Sequence, residues 1–321
     1  MALDWKIFTQ RPYIKSLPLE EQTRLFYIAN EKSIRYRSRS GDGDTGTDPL
    51  LLDTFPSSTL VYAYSLRKLT NTYSGAAIRV RRDNDNAESD IGFSNNELDT
   101  DALTTFVGSN NGYVTTWYDQ GGNEHNLTQS TADDQPLIVS SGTVRTTDDK
   151  PSLRFLSSRR DKITGGRINA LHDGTKCFVA ALVKSNSNTS ARQTIIATAN
   201  ELSSNRGYLF YLRAGDDEIR SRVRNGSALV SSNITAGDYP ENNRYLITDI
   251  LDVDNATAAN RSTLNVNNGS NINNNTDTAA ASAADSSRGL MIGGMTSDSF
   301  FSGDMQEIII YTTDESSNKS G

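Results

Sequence analysis

Apolar and polar residues alternate over short stretches of this chain, and turn-forming residues separate one stretch from the next. The alternation is clearest in Ile78–Arg81 and Tyr113–Trp117. A period of two is that of β-strands, which place successive side chains on opposite faces. Further strands are predicted at 178–184, 194–198, 208–213, 218–224, 245–253, 263–267, 290–293 and 305–311. Many short strands between turns predict a mainly β fold, a sandwich or a barrel.

Turn residues predict which strands are joined directly. Gly215-Asp216-Asp217 and Asn225-Gly226 are hairpin signals. The run 255–287 is rich in Asn, Ala, Ser and Thr, and a hairpin with its tip near 267–269 is expected within it. One helix is predicted among the strands, over 99–107.

Residues 1–50 follow a different pattern. Pro18 precedes two acidic residues in what would be a first helical turn, which predicts a helix over about 18–35. This helix is apolar over much of its circumference, so we expect it to pack on the body or on a partner chain. A Gly, Asp, Ser and Thr linker follows at 38–48. The predicted division is an N-terminal arm and linker, 1–50, and a β-sandwich, 51–321.

Charge is distributed unevenly along the 321 residues. The net charge of −7 argues against a nucleic-acid-binding surface over the whole chain. Residues 1–40 hold eight basic and four acidic side chains, +4, which leaves −11 for the rest. A basic arm on an acidic body suggests that the arm contacts another molecule, although a solvated helix explains it equally well. The residues expected to make that attachment are Arg24, Phe26, Tyr27 and Ile28.

The chain lacks the apolar runs that membranes and secretion require. No run approaches the roughly 20 residues that span a bilayer, so no membrane insertion is expected. Met1–Lys6 has no apolar signal region. Release by lysis, as with a virus particle, is the expected route if the protein acts outside a cell. Cys177, the only cysteine, lies in an apolar run and is predicted to be a buried, inert thiol.

Two stretches carry a family resemblance. One runs from Ala63 to Phe93, and the other from Thr116 to Gln129 with Trp117-Tyr118-Asp119-Gln120 at its centre. Together they resemble the N-terminal half of the arabinofuranosidase B catalytic domain, a concanavalin A-like β-sandwich or jelly roll. The resemblance covers about 59–321 and is looser in the second half. It implies an antiparallel sandwich for the body.

The same resemblance locates the positions where an enzyme would carry its reactive groups. Retaining glycosidases use two carboxyl groups about 5 Å apart. The family nucleophile is a glutamate whose run is best matched by 206–210, and the family acid follows a Gly-Gly pair, here Gly293-Gly294 before Met295. Neither position has a carboxylate, and the family's pair of adjacent cysteines is missing. We therefore expect no enzyme activity, with Glu201 and Asp298 as displaced substitutes if this is wrong.

The best candidate for ligand binding is the stretch around Trp117. Trp117 and Tyr118 are adjacent on a strand, so one faces the core and the other could stack on a sugar ring. The hydrogen-bonding groups expected beside them are Asp119, Gln120, Asn123 and His125. The alternative is a structured turn that binds nothing.

No cofactor is expected. A calcium ion could bind Asp42, Asp44 and Asp48, or the run of acids from Asp83 to Asp90, because hard cations prefer several oxygens on one loop. Turn-forming, solvated acids are the favoured alternative. The two histidines, His125 and His172, are too few for zinc without cysteines.

These features together predict a noncatalytic virion structural protein of a bacteriophage, a tail fibre or capsid-surface fibre with a lectin-like domain. The resemblance allows this because the sandwich recurs as a sugar-binding or structural module in such proteins. Expected partners are other virion proteins, reached through the arm, and host-surface glycans. A homo-oligomer is expected, with a trimer favoured. The alternatives are a glycoside hydrolase acting on host polysaccharide and an architectural decoration protein that binds no sugar.

Overall fold

The structure is a computed structural model, and it describes residues 49–54, 59–167, 176–186, 192–198, 207–213, 218–225, 228–234, 242–253, 255–267, 269–273, 289–295 and 299–312. The predicted arm helix and linker lie outside these residues, as do the four predicted attachment residues. The division of the chain near residue 50 therefore stays a prediction.

The described residues are dominated by strands. In chain order, β1 to β23 are Leu60–Ser65, Ile78–Arg82, Glu88–Ile91, Phe93–Ser94, Glu97–Leu98, Gly112–Trp117, Leu127–Thr128, Leu137–Ser140, Thr143–Val144, Thr146–Thr147, Lys150–Pro151, Leu153–Phe155, Ile163–Thr164, Cys177–Ser185, Arg192–Ala197, Gly207–Arg213, Glu218–Asn225, Ala228–Ile234, Arg244–Leu251, Ser262–Val266, Ile272–Asn273, Met291–Ile292 and Gly303–Tyr311. Helix α1 is Thr100–Val107, and short 3₁₀ turns lie at Leu51–Asp53, Ala132–Asp134, Ser157–Arg159 and Ala258–Asn260.

The main sheet is antiparallel and nearly closes on itself. Strand β23 is central to one layer, with β14, β19 and β20 following on one side and both β1 and β12 on the other. The other layer runs from β6 through β7, β13, β22, β15, β16 and β17 to β18. Strand β8 pairs with both β12 and β6 and so joins the two layers. The predicted mainly β sandwich is confirmed.

Local sequence signals explain several of these elements. Helix α1 begins where Asp99 Oδ1 accepts a hydrogen bond from the Ala102 N–H at 2.9 Å, and it ends at Gly108, whose φ is 62°. The three predicted hairpins are present as antiparallel pairs, β16 with β17, β17 with β18 and β20 with β21. The structure also contains strands that the sequence pattern did not predict, among them β1, β3, β8 and β12.

The main core lies between the two layers. Its largest fully buried side chains are aromatic and include Tyr64, Trp117 and Phe210. Cys177 is also buried there, and burial raises the pKa of its thiol. A smaller apolar cluster lies on the other face of β23, where Leu52 and Leu69 pack near Ile309. Within the described residues, no helix has the length and apolar character needed to cross a membrane.

Candidate functional site

Trp117 and Tyr118 face opposite sides of their strand, as alternation requires. Trp117 is fully buried, with its ring centroid 5.8 Å from that of Tyr64. Tyr118 is partly exposed, and its hydroxyl donates a hydrogen bond to Asp90 Oδ1 at 2.7 Å. Trp117 is therefore a core residue, and Tyr118 is the aromatic side chain that solvent or a ligand can reach.

Asp119 is buried and organises the backbone around it. Its Oδ1 accepts hydrogen bonds from the N–H groups of Ala63 and Gly121, both at 2.9 Å. Its Oδ2 accepts a longer one, 3.3 Å, from the N–H of His125. The carboxylate therefore fixes the 119–125 loop against strand β1 and does not face solvent.

Gln120 is also buried and also bonds to backbone groups, here those of residues 65–69. Its Oε1 accepts a hydrogen bond from the Leu69 N–H at 2.8 Å, and its Nε2 donates to the carbonyls of Ser65 and Arg67. The side chain is 2% exposed. Both polar residues of the Asp-Gln pair thus behave as the structured-turn alternative expects.

Asn123 and His125 are exposed, but they lie over strand β1 and not beside Tyr118. Asn123 Nδ2 donates to the carbonyls of Leu60 and Val61, each at 3.1 Å. The His125 ring lies 4.9 Å from the ring of Tyr62. Of the six predicted site residues, one therefore lies in the core, two support the loop, and three, Tyr118, Asn123 and His125, are partly or fully exposed. Glycan binding by this set stays a prediction.

Tyr118 instead belongs to a group of residues that the sequence did not bring together, although Asp90 appeared among the possible calcium ligands. Arg79 and Asp90 face each other across β2 and β3 and form two 2.8 Å hydrogen bonds, one to each carboxylate oxygen. The bonds from Arg79 lower the pKa of Asp90. The partly exposed rings of Tyr73 and Phe93 lie 6.3 Å apart, edge to face. We call Tyr73, Arg79, Asp90, Phe93 and Tyr118 the aromatic platform.

The hydroxyl groups of the platform remain protonated at neutral pH. Burial raises the pKa of Tyr73 to about 12, and nearby charges, including those of Asp119 and Asp90, add to the shift. Burial and the hydrogen bond to Asp90 likewise raise the pKa of Tyr118 to about 12. Both hydroxyls are therefore hydrogen-bond donors. Strand alternation alone predicts that the Arg79 side chain lies on the outer face of the sheet. Its pairing with Asp90 depends on the register between β2 and β3, which the sequence does not show.

Leu209 and Met295, the two positions that the sequence resemblance matched to the family's carboxylates, meet in the structure. On β16, Tyr208 and Phe210 face the main core, whereas Leu209 faces the opposite side. Leu209 is 4% exposed and Met295 is fully buried. They belong to one apolar cluster, completed by Ala197, Tyr211 and Met291. Both positions that the sequence resemblance matched to the family's carboxylates are therefore apolar and buried.

One acid that bonds to a side chain of β16 lies on the core side of the strand. Asp249 is fully buried and accepts hydrogen bonds from the hydroxyls of Tyr208, Ser221 and Ser262. Burial raises its pKa to about 6, although these hydrogen bonds partly oppose the shift. Because it is enclosed by both layers, Asp249 cannot touch a substrate. Sequence reasoning missed Asp249, since an aspartate in a strand pattern does not reveal its cross-layer partners.

Three of the four proposed calcium ligands between Asp83 and Asp90 bond to other residues, Asp90 to Arg79 as described above, and the fourth, Glu88, is exposed. Asp83 accepts hydrogen bonds from Asn111, and Asp85 forms an ion pair with Arg82 at 2.6 Å. Within the described ranges, no group of three or more His, Cys, Asp or Glu side chains has the geometry to hold a metal ion. The other candidates fall outside those ranges: Asp42, Asp44, Asp48, His172, Glu201 and Asp298.

Comparisons with known proteins agree with this fold. A family profile described as "Alpha-L-arabinofuranosidase B, catalytic" matches residues 57–152. No curated protein sequence matches the chain. The resemblance inferred from Ala63–Phe93 and Thr116–Gln129 is thereby confirmed for the first half of the sandwich.

Solved structures extend the comparison to most of the body. A mutant GH54 α-L-arabinofuranosidase soaked with 4-nitrophenyl α-L-arabinofuranoside is 14% identical with a TM-score of 0.52, and the match covers 80% of this chain and 60% of that one. A GH54 α-L-arabinofuranosidase soaked with a cyclic sulfate inhibitor is 14% identical with a TM-score of 0.51, and the match covers the same shares of the two chains. A Ruminococcus gnavus sialidase CBM40 bound to α2,3-sialyllactose gives 13% identity and a TM-score of 0.38, covering 52% of this chain and 94% of that one. The chain thus spans about 60% of the arabinofuranosidase length, and the likeness shows the fold alone.

Proposed function

We propose that this chain is a noncatalytic virion structural protein of a bacteriophage, a tail fibre or capsid-surface fibre whose sandwich presents a lectin-like surface to host glycans. The observation that carries the noncatalytic part is the apolar cluster of Leu209 and Met295. A retaining glycosidase needs a nucleophile and a proton donor about 5 Å apart. Leucine and methionine supply neither, and a fold can persist without the reaction of its relatives.

The virion part of the proposal is supported by the sequence. Residues 1–40 carry +4 while the remainder carries −11. An arm of opposite charge to its body suits attachment to a different molecule. We assign the arm, through Arg24, Phe26, Tyr27 and Ile28, to contacts with other virion proteins and to assembly of a homotrimer.

A hydrolysis assay tests the noncatalytic part. The full chain is incubated with 4-nitrophenyl α-L-arabinofuranoside and with arabinan, arabinoxylan and host surface polysaccharide, between pH 4 and pH 8. We expect no nitrophenol release and no new reducing ends above the buffer rate. The family profile favours a glycoside hydrolase as the second candidate function. Turnover of any of these substrates would establish that candidate and overturn ours.

Deletion of residues 1–50 tests the attachment part. We expect the truncated chain to keep its β-rich circular dichroism spectrum and to be lost from purified particles. The matched control exchanges Arg24 alone for Ala, which should weaken incorporation less than the deletion. Unchanged incorporation of the truncated chain would show that the arm does not attach it.

A further inference from the structure

We infer that the aromatic platform is the sugar-binding site of this protein and that it binds a neutral glycan. This inference rests on the lectin-like role proposed above and gives that role a site and a ligand class. Of the sugar-binding residues that the sequence suggested, the platform contains only Tyr118.

The first argument is the exposure of three aromatic rings in one place. Tyr73, Phe93 and Tyr118 are all partly exposed, although they come from three separate segments. Tyr73 and Phe93 are in edge-to-face contact. Tyr118 is held beside them, because the Tyr73 hydroxyl bonds to the Ala76 carbonyl and the Tyr118 N–H bonds to the carbonyl of the next residue, Ala77, at 3.0 Å. A sugar has a face of C–H groups that packs on such rings, and tyrosine also offers a polar edge.

The second argument is that these ring faces remain free of cations among the described residues. Elsewhere on the sandwich, partly exposed rings have cations on them. Arg159 lies 4.5 Å from the ring centroid of Tyr113, Arg82 lies 5.1 Å from that of Phe106, and Lys162 lies 5.4 Å from that of Phe300. A ring in cation–π contact has that face occupied, so these three rings are poor sugar platforms.

The third argument is the chemistry beside the rings. The side chains of Arg79 and Asp90 are each 43% exposed. A carboxylate can accept about four hydrogen bonds and a guanidinium can donate five. Asp90 receives three, two from Arg79 and one from Tyr118, which leaves capacity on both charged groups. Vicinal sugar hydroxyls, which both donate and accept, match this arrangement.

The charge of the site selects the ligand class. Arg79 and Asp90 compensate each other, so the platform offers no net positive charge to a uronate, sulfate or sialate. The exposed acid Glu88 lies on the same strand as Asp90, and residues 41–321 carry −11 overall. An anionic glycan would be repelled, whereas a neutral pentose or hexose would not.

The platform is built to hold its shape. The Tyr73 hydroxyl donates a hydrogen bond to the Ala76 carbonyl at 2.8 Å, which fixes the ring over Gly75. A Cβ at Gly75 would lie 2.5 Å from the Tyr73 hydroxyl oxygen, so any side chain there would displace the ring. Gly75→Ala is therefore a variant that disturbs the platform without removing any of its groups.

Binding measurements on the full chain test the inference. The probes are arabinofuranosyl-α-1,2-xylobiose, xylohexaose, maltoheptaose and a β-galactan oligosaccharide as neutral sugars, with oligogalacturonate as the anionic one, measured by saturation-transfer NMR and titration calorimetry. We expect at least one neutral probe to bind and the anionic probe to bind at least tenfold more weakly. Tyr118→Ala and Arg79→Ala should each weaken binding about tenfold or more, and Gly75→Ala several-fold.

Matched variants separate the site from the fold. Phe106→Ala removes a partly exposed ring that carries a cation, and it should leave binding unchanged. Tyr118→Phe keeps the aromatic ring, so it should lose less binding affinity than Tyr118→Ala. Circular dichroism confirms that each variant is folded, and chemical-shift changes confined to the platform in the wild type locate the ligand even if a variant unfolds.

The outcomes are distinguishable. If the wild type binds none of the probes, neutral or anionic, both the inference and the lectin-like role are wrong. If it binds but Tyr118→Ala binds equally well, the site is wrong while the role stands. Preference for oligogalacturonate would overturn the neutral ligand class alone.

Discussion

Single residues of this chain show how burial changes the meaning of a charge. Asp90 and Asp249 are both aspartates on strands, yet the pKa of the exposed one is lowered by Arg79 and that of the buried one is raised to about 6. Desolvation outweighs three hydroxyl donors at Asp249 because hydroxyl groups bring no compensating charge. Asp249 is thus an acid that the fold prefers in its protonated form.

This preference has a consequence for stability. The pKa of Asp249 in the folded chain lies above its unfolded value of 3.8, so its contribution is fully present below pH 3.8 and is lost as pH rises through about 6. Replacing it with Asn should therefore flatten the fall in unfolding free energy between pH 4 and pH 7. Urea unfolding at a series of pH values measures this.

Asp90→Asn is the matched control for that experiment. Its folded pKa is lowered, so its contribution is present above the unfolded pKa and is lost as pH falls. The variant should change the acid side of the profile and leave the fall toward pH 7 in place. An Asp249→Asn profile that parallels the wild type would contradict the assignment.

At the scale of elements, local signals were sufficient where a segment makes its own structure. Helix α1 follows from Asp99 as its cap, and the hairpins follow from Gly-Asp and Asn-Gly turns. The platform could not be foreseen in this way, because Tyr73, Asp90 and Tyr118 meet only through the pairing of β2 with β3 and β6. Asp119 and Gln120 are ligand candidates in the sequence, but their side chains form hydrogen bonds with backbone groups of the same chain. Sequence alone does not show these bonds, because the partners are distant along the chain.

The helix cap provides a prediction at this scale. Asp99→Ala removes the acceptor for the Ala102 N–H and should cost about 1 kcal/mol of unfolding free energy. Asp101→Ala removes another acid from the same first turn but no cap, and it should cost only a few tenths of a kcal/mol. Equal losses from the two variants in urea unfolding would mean that general helix electrostatics, and not the cap, stabilises α1.

At the scale of the whole sandwich, the architecture that the resemblance predicted is confirmed, whereas the absence of enzyme activity stays a prediction. Residues 59–167 carry both the profile match and most of the family motif, and their strands, helix and loop support are those of a scaffold. The positions that the resemblance matched to the family's carboxylates lie beyond them, at Leu209 and Met295. Since a sandwich can be stabilised by apolar or by reactive groups at those positions, the fold does not determine the reaction.

The pairing of β1 with β23 has a mechanical consequence. Leu60 lies opposite Tyr311, and Thr312 donates its N–H to the Thr59 carbonyl at 2.8 Å, so two distant points of the chain meet at one pole of the sandwich. A pulling force applied between Thr59 and Thr312 would open this strand pair one hydrogen bond at a time. A force applied between Thr59 and the other end of β23, at Gly303, would load several bonds in shear. Force spectroscopy with these two pairs of attachment points should therefore give a lower rupture force for the first.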